Sequence, residues 1–217
     1  MPTRFCLVRH GETAWNAQGR LQGQIDIPLN ETGEAQSRAA AARLSAQRFD
    51  ALYSSDLART AQTAAAAAAL LSLAVVHTPL LRERYFGGFQ GLTHDEAKNR
   101  YPHDYARFHA RDPDHPLPGD GESLRAFSAR VEGAFLSLAD QHPDQTVLVV
   151  THGGVLDIAH RLASGLALQA KRTFTLRNAA LNWIERHEAG WSLLDWADTA
   201  HLGESRDEVF DGAAARG

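Results

Sequence analysis

The chain has little cysteine, no surplus of positive charge and no long apolar run, and each shortage removes a class of protein. A single cysteine, Cys6, among 217 residues excludes an internal disulfide framework and any cysteine-cluster zinc site, and it suits a reducing cytosol. The 22 Lys and Arg against 26 Asp and Glu leave a net charge of −4, without the basic excess that draws proteins to phosphate backbones or anionic bilayers. Neither nucleic acid nor a membrane is an expected partner. No apolar stretch approaches the ~20 residues needed to cross a bilayer, and the opening MPTRFCLVRH carries no cleavable signal pattern. The expected location is cytoplasmic. No internal repeat is present.

What is present reads as strands alternating with helices. Phe5-Cys6-Leu7-Val8 is an apolar run that stops at Arg9-His10-Gly11, as a buried parallel strand does at its carboxyl end. Thr32 to about Ala46 reads as helix, Phe49 to Tyr53 as strand, and Leu57 to Leu71 as a helix whose six alanines, Ala64 to Ala69, mark close packing. Ser54-Ser55-Asp56 offers caps for that helix. Ala74 to His77 reads as strand, Ser123 to about Gln141 as helix, and Thr146 to Val150 is the strongest strand pattern, leading into THGG and an apolar helix from Val155 to Leu162. Ala180 to Ile184 and Trp191 to Leu194, separated by a polar stretch with Gly190, suggest a hairpin. The expected fold class is α/β: a three-layer α/β/α sandwich with a mainly parallel, mixed sheet. One domain is expected over 1–202, with a helical insertion at about 84–121 that overlies the site, and a flexible tail over 203–217.

In open α/β sheets ligands bind beyond the carboxyl ends of strands, and His10 and His152 both fall there, each followed by glycine. Around His10 stand the donors an anion requires: Arg9, Asn16, and Arg59 one turn into the helix after the second strand. Paired guanidinium groups beside an imidazole point to phosphate, and cations keep a nucleophilic histidine unprotonated. A phosphoryl group moved onto histidine also needs an acid for the leaving oxygen, and Glu83, shortly after the third strand, is the best-placed carboxylate.

The segments LVRHGETAWN (7–16), SSDLARTAQT (54–63), LRERYFGGFQG (81–91) and VVTHGG (149–154) together resemble the histidine phosphatase superfamily, which includes cofactor-dependent phosphoglycerate mutases. The resemblance covers about Arg4 to Trp196. It implies a phosphohistidine mechanism with His10 as nucleophile and Glu83 as proton donor, and with Arg9, Arg59 and His152 holding the phosphoryl group. It also implicates Asn16, Gln22, Gly23 and the Gly153 backbone in substrate contact. No metal and no cofactor are expected, and the partner is a small phosphorylated metabolite.

Mutases of this kind carry a GLNK sequence and a paired-arginine segment. Here the stretch is GLTHDEAKNRYP, with Thr93-His94 in place of Asn-Lys and no Arg-Arg pair. Fewer cations retain a doubly phosphorylated intermediate less well, so a phosphatase resembling the broad-specificity and alpha-ribazole phosphatase branch is favoured, with mutase activity as the alternative. A catalytically silent phosphate-ligand sensor is a third reading, and retention of His10, Glu83 and His152 argues against it. Arg82, Arg84, Lys98, Arg100 and Arg107 are available for a substrate carboxylate.

Other features are set aside. His103, His109 and His115 recur every six residues, which fits neither one helical face nor a standard zinc motif. Asp157 and His160 read as a surface pair and Cys6 as a small buried hydrophobe. Trp183, Trp191 and Trp196 belong to the core or to a contact in a possible homodimer, and Trp15 to the pocket wall.

Overall fold

The computed structural model describes residues 1–203 and 206–207. Six strands, β1 (Thr3–Arg9), β2 (Ala51–Ser54), β3 (Val75–His77), β4 (Thr146–Thr151), β5 (Leu181–His187) and β6 (Gly190–Asp198), form one sheet in the order β3-β2-β4-β1-β5-β6. The first four in that order run parallel; β5 and β6 add an antiparallel hairpin beside β1. Strands β1 and β4 are central and covered on both faces, which is why FCLV and VLVV are continuous apolar runs.

Seven helices accompany the sheet among the described residues: α1 (Ala14–Ala17), α2 (Glu31–Leu44), α3 (Ala58–Leu71), α4 (His94–Arg100), α5 (Pro102–His109), α6 (Leu124–Gln141) and α7 (Gly153–Ser164). Period-two alternation along the strands separates two cores. Phe5, Leu7, Val147 and Val149 face α6 and α7 and meet Phe127, Val131, Phe135 and Ile158. Cys6, Val8, Leu148 and Val150 face α2 and α3 and meet Ala41, Leu44, Ala64 and Ala67. Helix, sheet and helix make three layers. Phe135, fully buried against Phe5 and Trp191, is a measure of that packing: its truncation to alanine should cost about 3–5 kcal/mol.

Local starts differ from the sequence reading in instructive ways. Helix α2 begins at an Asn30 cap whose side chain accepts from the Gly33 N–H, with Glu31 and Glu34 in the first turn. Helix α3 takes no side-chain cap from its own N-terminal residue Leu57. Its Ala58 N–H instead donates to Oδ1 of Asp26, 32 residues away, at 2.7 Å. Asp56 is engaged by Arg82 and Ser55 by His152. The alanine run does pack closely, through Ala64 and Ala67 against the α2 side of the sheet.

Residues 84–121 contain α4 and α5 and centre on a third apolar cluster of Leu21, Phe86, Phe89, Ala97, Tyr105, Phe108 and Leu117. Asp157 is not on the surface: it is buried and bridged by Arg111 and Arg161. His160 instead stacks on Phe174 and abuts Trp196. Trp183 stacks on Phe49, and Trp191 packs on Phe5. Cys6 is buried, and burial pushes its thiol pKa up. Of the expected flexible tail, Arg206 and Asp207 are tied to the body: Arg206 Nε pairs with Glu12, and Oδ1 of Asp207 accepts from the Leu176 N–H and Arg172. The rest of that stretch after Gly203 lies outside the described residues. No helix among the described residues is long and apolar enough to cross a membrane.

Candidate active site

Strands β1 and β4 pair in parallel with Arg9 opposite Thr151, so the residues that follow them, His10 and His152, emerge side by side. The His10 N–H donates to the Thr151 carbonyl at 2.9 Å, and the two imidazole centroids lie 5.3 Å apart at 62°. Both rings are buried.

Hydrogen-bond partners fix the tautomer of each ring. Nδ1 of His10 lies 2.7 Å from the Gly11 carbonyl oxygen. A carbonyl can only accept, so Nδ1 carries the proton and Nε2 carries the lone pair. For His152, Nε of Arg59 donates to Nδ1 at 3.2 Å, which places the proton on Nε2, where it donates to the Ser55 hydroxyl at 2.9 Å. Burial drives the pKa of both rings well below the usual histidine value. For His10 the Arg59 and Arg9 guanidinium groups push the same way and the Gly11 carbonyl opposes them. Cations therefore contribute to the neutral imidazole, but desolvation is the larger cause.

Gly11 meets a packing need: a Cβ there would lie 2.3 Å from the Gly33 carbonyl oxygen. The Asn178 amide donates to the His10 carbonyl at 2.9 Å, bracing the loop from the far side.

Arg59 is fully buried. Its guanidinium donates to the Gly23 carbonyl at 2.7 Å and to the Ile25 carbonyl at 2.9 Å, so it ties the 23–25 turn to α3. Arg9 is buried and donates to the Leu176 carbonyl. In Asn16, Oδ1 accepts from the N–H and hydroxyl of Thr13, which orients Nδ2 as the remaining donor. Buried Gln22 has no hydrogen-bond partner at Oε1 among the described residues, an unusual cost for a buried polar atom.

Glu83 is 5% exposed. Its Oε1 accepts from the Arg84 N–H at 2.7 Å and its Oε2 from the Gly154 N–H at 2.9 Å. Its carbonyl accepts from Gln24 at 3.1 Å and from Arg130 at 3.2 Å.

An open cleft with about 550 Å³ of empty space is lined by Arg9, His10, Asn16, Gln22, Gly23, Arg59 and Glu83. Gly19, Arg20, Leu21, Phe86, His94 and Asp207 also line it. His152 stands directly behind His10. Gly153 is not among the lining residues; its neighbour Gly154 makes the contact to Glu83. Trp15 also lies outside the lining, against Gly91. All four arginines proposed for a carboxylate have partners elsewhere: Arg82 with Asp56, Arg84 with the Glu122 carbonyl, Arg107 with Asp112, and Arg100 over the Tyr101 ring.

Arg20 and Asp207 escaped the sequence reading, Ser55 was read only as a helix cap, and His94 only as a departure from the mutase pattern. Ser55 had a signal, since it directly follows the second strand at the sheet edge that carries His10 and His152. Arg20 and Asp207 had none, because only tertiary folding brings their loops to the cavity.

The cavity can receive a dianionic tetrahedral group between a neutral imidazole and two arginines, with a carboxyl group at its edge. Among family models, one described as histidine phosphatase superfamily (branch 1) matches residues 5–199. A metal-independent phosphoserine phosphatase from Arabidopsis thaliana is 40% identical over 202 residues, covering 92% of this chain and 83% of that one. Phosphoglycerate mutase-like protein 4 from the same plant is 37% identical over 202 residues, covering 92% and 86%. A mutant phosphoserine phosphatase from Entamoeba histolytica, solved in complex with phosphoserine, superposes with a TM-score of 0.82 at 27% identity, covering 92% of this chain and 99% of that one.

Proposed function

The chain belongs to the histidine phosphatase superfamily, branch 1, and is a phosphatase; from that premise we propose that it hydrolyses small phosphomonoesters by way of a phosphoryl group carried on Nε2 of His10. The observation that carries this reading is the bond from Nδ1–H of His10 to the Gly11 carbonyl, because it puts the lone pair on the other nitrogen.

In the first step Nε2 attacks phosphorus and the ester P–O bond breaks. The leaving oxygen takes a proton from Glu83. Each carboxyl oxygen of Glu83 accepts one backbone N–H and has a second lone pair, so the transferred proton is held without losing either contact. In the second step the Glu83 carboxylate removes a proton from water, the water oxygen attacks phosphorus, and the P–N bond breaks to release inorganic phosphate and restore His10. Arg9 and Arg59 hold the equatorial oxygens, and the developing charge is balanced by groups already in place. The neutral His152, fixed between Arg59 and Ser55, orients Arg59. Asn16, Gln22 and Gly23 contact the phosphoryl group or the adjoining alcohol, and the unpartnered Oε1 of Gln22 is a ready acceptor for a hydroxyl or ammonium. Gly153 opens α7 directly after His152, and its backbone N–H is the group that would reach the phosphoryl oxygens from that side. The reaction needs no metal and no cofactor, and a cytoplasmic setting suits it.

The mutase reading would require the phosphoryl group to return to substrate before water reaches it. Against this, His94 occupies the cavity wall where the mutase pattern has a lysine, and few of the arginines in the insertion are uncommitted. The relatives make phosphoserine and phosphoglycerates the first compounds to try. The test is phosphate release from a panel of sugar phosphates, phosphoglycerates, phosphoserine and nucleotides without added metal, beside an assay for phosphoryl transfer between phosphoglycerate positions. Phosphate release well above transfer is expected. Transfer exceeding release would favour the mutase, and no turnover of any kind would favour a sensor.

A further inference from the structure

We propose that His103, Asp104 and His115 form a binding site for a divalent transition-metal ion, zinc above all, on the insertion and apart from the catalytic cavity. Nε2 of His115 lies 2.9 Å from Oδ1 of Asp104, and Nδ1 of His103 lies 4.0 Å from the same oxygen. One ligand atom from each residue falls within 4.8 Å of the others, and the two imidazole centroids are 5.7 Å apart at 75°.

His103 and Asp104 stand in the first turn of α5. His115 returns to them from the loop after α5, where the backbone reverses through a positive φ of 54° at Arg111. The six-residue spacing of His103, His109 and His115 conceals this. The structure leaves His109 at the other end of α5 and puts Asp104 in its place.

A hydrogen bond between His115 and Asp104 accounts for two of the three residues. It does not account for the approach of His103, whose side chain is 78% exposed and whose ring meets the His115 ring edge-on. Tetrahedral zinc with nitrogen and oxygen ligands at about 2.0–2.2 Å needs ligand atoms roughly 3.3–3.5 Å apart. The Asp104–His115 separation is shorter than this and the Asp104–His103 separation longer, so closure requires the rings to move, which the exposed His103 side chain is free to do. Two imidazoles and one carboxylate select zinc, copper or nickel over magnesium or calcium. The nearest arginine of α5, Arg107, is paired with Asp112 and so carries its own counter-charge.

The ion ties the loop 110–121 back onto α5. Tyr105 and Phe108 of that helix pack on Phe89, and Phe108 also on Phe86, three residues beyond Glu83. Metal binding therefore stiffens the insertion without entering the reaction.

Calorimetric titration of the metal-stripped full chain with zinc chloride, and separately with magnesium chloride, tests the site. One zinc ion per chain is expected, with affinity lowered at least about tenfold in both His103→Gln and His115→Gln, and no saturable heat with magnesium. His103→Gln alters an exposed residue and leaves the fold intact, so it remains informative if His115→Gln loosens the loop. Cobalt substituted for zinc should show visible absorption bands that His103→Gln removes. Absence of saturable zinc binding, or an affinity unchanged in His103→Gln, overturns the proposal. The latter result accompanied by loss of turnover would place the ion on the catalytic histidines instead.

Discussion

Gly154 donates its backbone N–H to Oε2 of Glu83 at 2.9 Å, across 71 residues of chain, and a Cβ at position 154 would lie 2.1 Å from Oε1 of the same carboxyl group. The helix that opens just after His152 thus also seats the carboxyl group assigned as proton donor. A side chain at 154 would push the Glu83 carboxyl group out of this position, so the pairing as it stands depends on glycine there.

Gly154→Ala should therefore act on catalysis through Glu83. The methyl group displaces the carboxyl group, and a misplacement of about 1 Å is worth on the order of 100-fold in rate. The expected result is a kcat lowered by about that factor with a far-UV spectrum like that of the parent. An unchanged kcat would separate Glu83 from the chemistry.

Replacing Glu83 with Gln keeps the shape and removes the proton. Activated aryl esters leave without protonation and alkyl esters do not, so the loss should be at least about tenfold larger for alkyl phosphates. Equal losses for p-nitrophenyl phosphate and an alkyl phosphate would contradict the assignment of Glu83 as acid.

The buried histidines link stability to pH. His10 and His152 stay neutral in the folded chain, while in the unfolded chain each takes a proton as pH falls through its ordinary value of 6.5. Below that point the unfolded state binds more protons, so stability declines on acidification by about 1.4 kcal/mol per pH unit for each ring. Above it this contribution is fully present. Urea midpoints measured from about pH 7.5 to 5.5 should fall, and the slope should flatten in His152→Gln. Identical slopes in the two proteins would contradict the neutral assignment.

Vanadate adopts the trigonal-bipyramidal geometry of phosphoryl transfer, and the Arg9 and Arg59 cage should bind it. Inhibition by vanadate and indifference to EDTA are expected. EDTA does strip the site at His103, but that site lies outside the reaction. Activity lost in EDTA and restored by zinc would reverse the metal-free reading.

How much of this was legible in the sequence depended on distance along the chain. The apolar runs FCLV and VLVV announced central parallel strands, and the abrupt stops at His10 and His152 located the edge where chemistry gathers. Those signals are local. The cap on α3 was not legible as built, because Asp26 supplies it from a separate loop while the nearer Asp56 goes to Arg82. Asp157 read as a surface residue because helical spacing cannot reveal Arg111, which arrives from the insertion. At Gly11 only the approach of Gly33, 22 residues further along the chain, shows why a side chain is excluded. Asp207 in the cavity wall is likewise a product of tertiary placement.

The most direct measurement is chemical capture of the carrier. Enzyme mixed with radiolabelled monoester and quenched during turnover should hold a label stable to alkali and labile to acid, on the peptide bearing His10, and His10→Ala should hold none. Steady phosphate release with no label on that peptide, under quench conditions shown to preserve phosphohistidine, would contradict the account at its root.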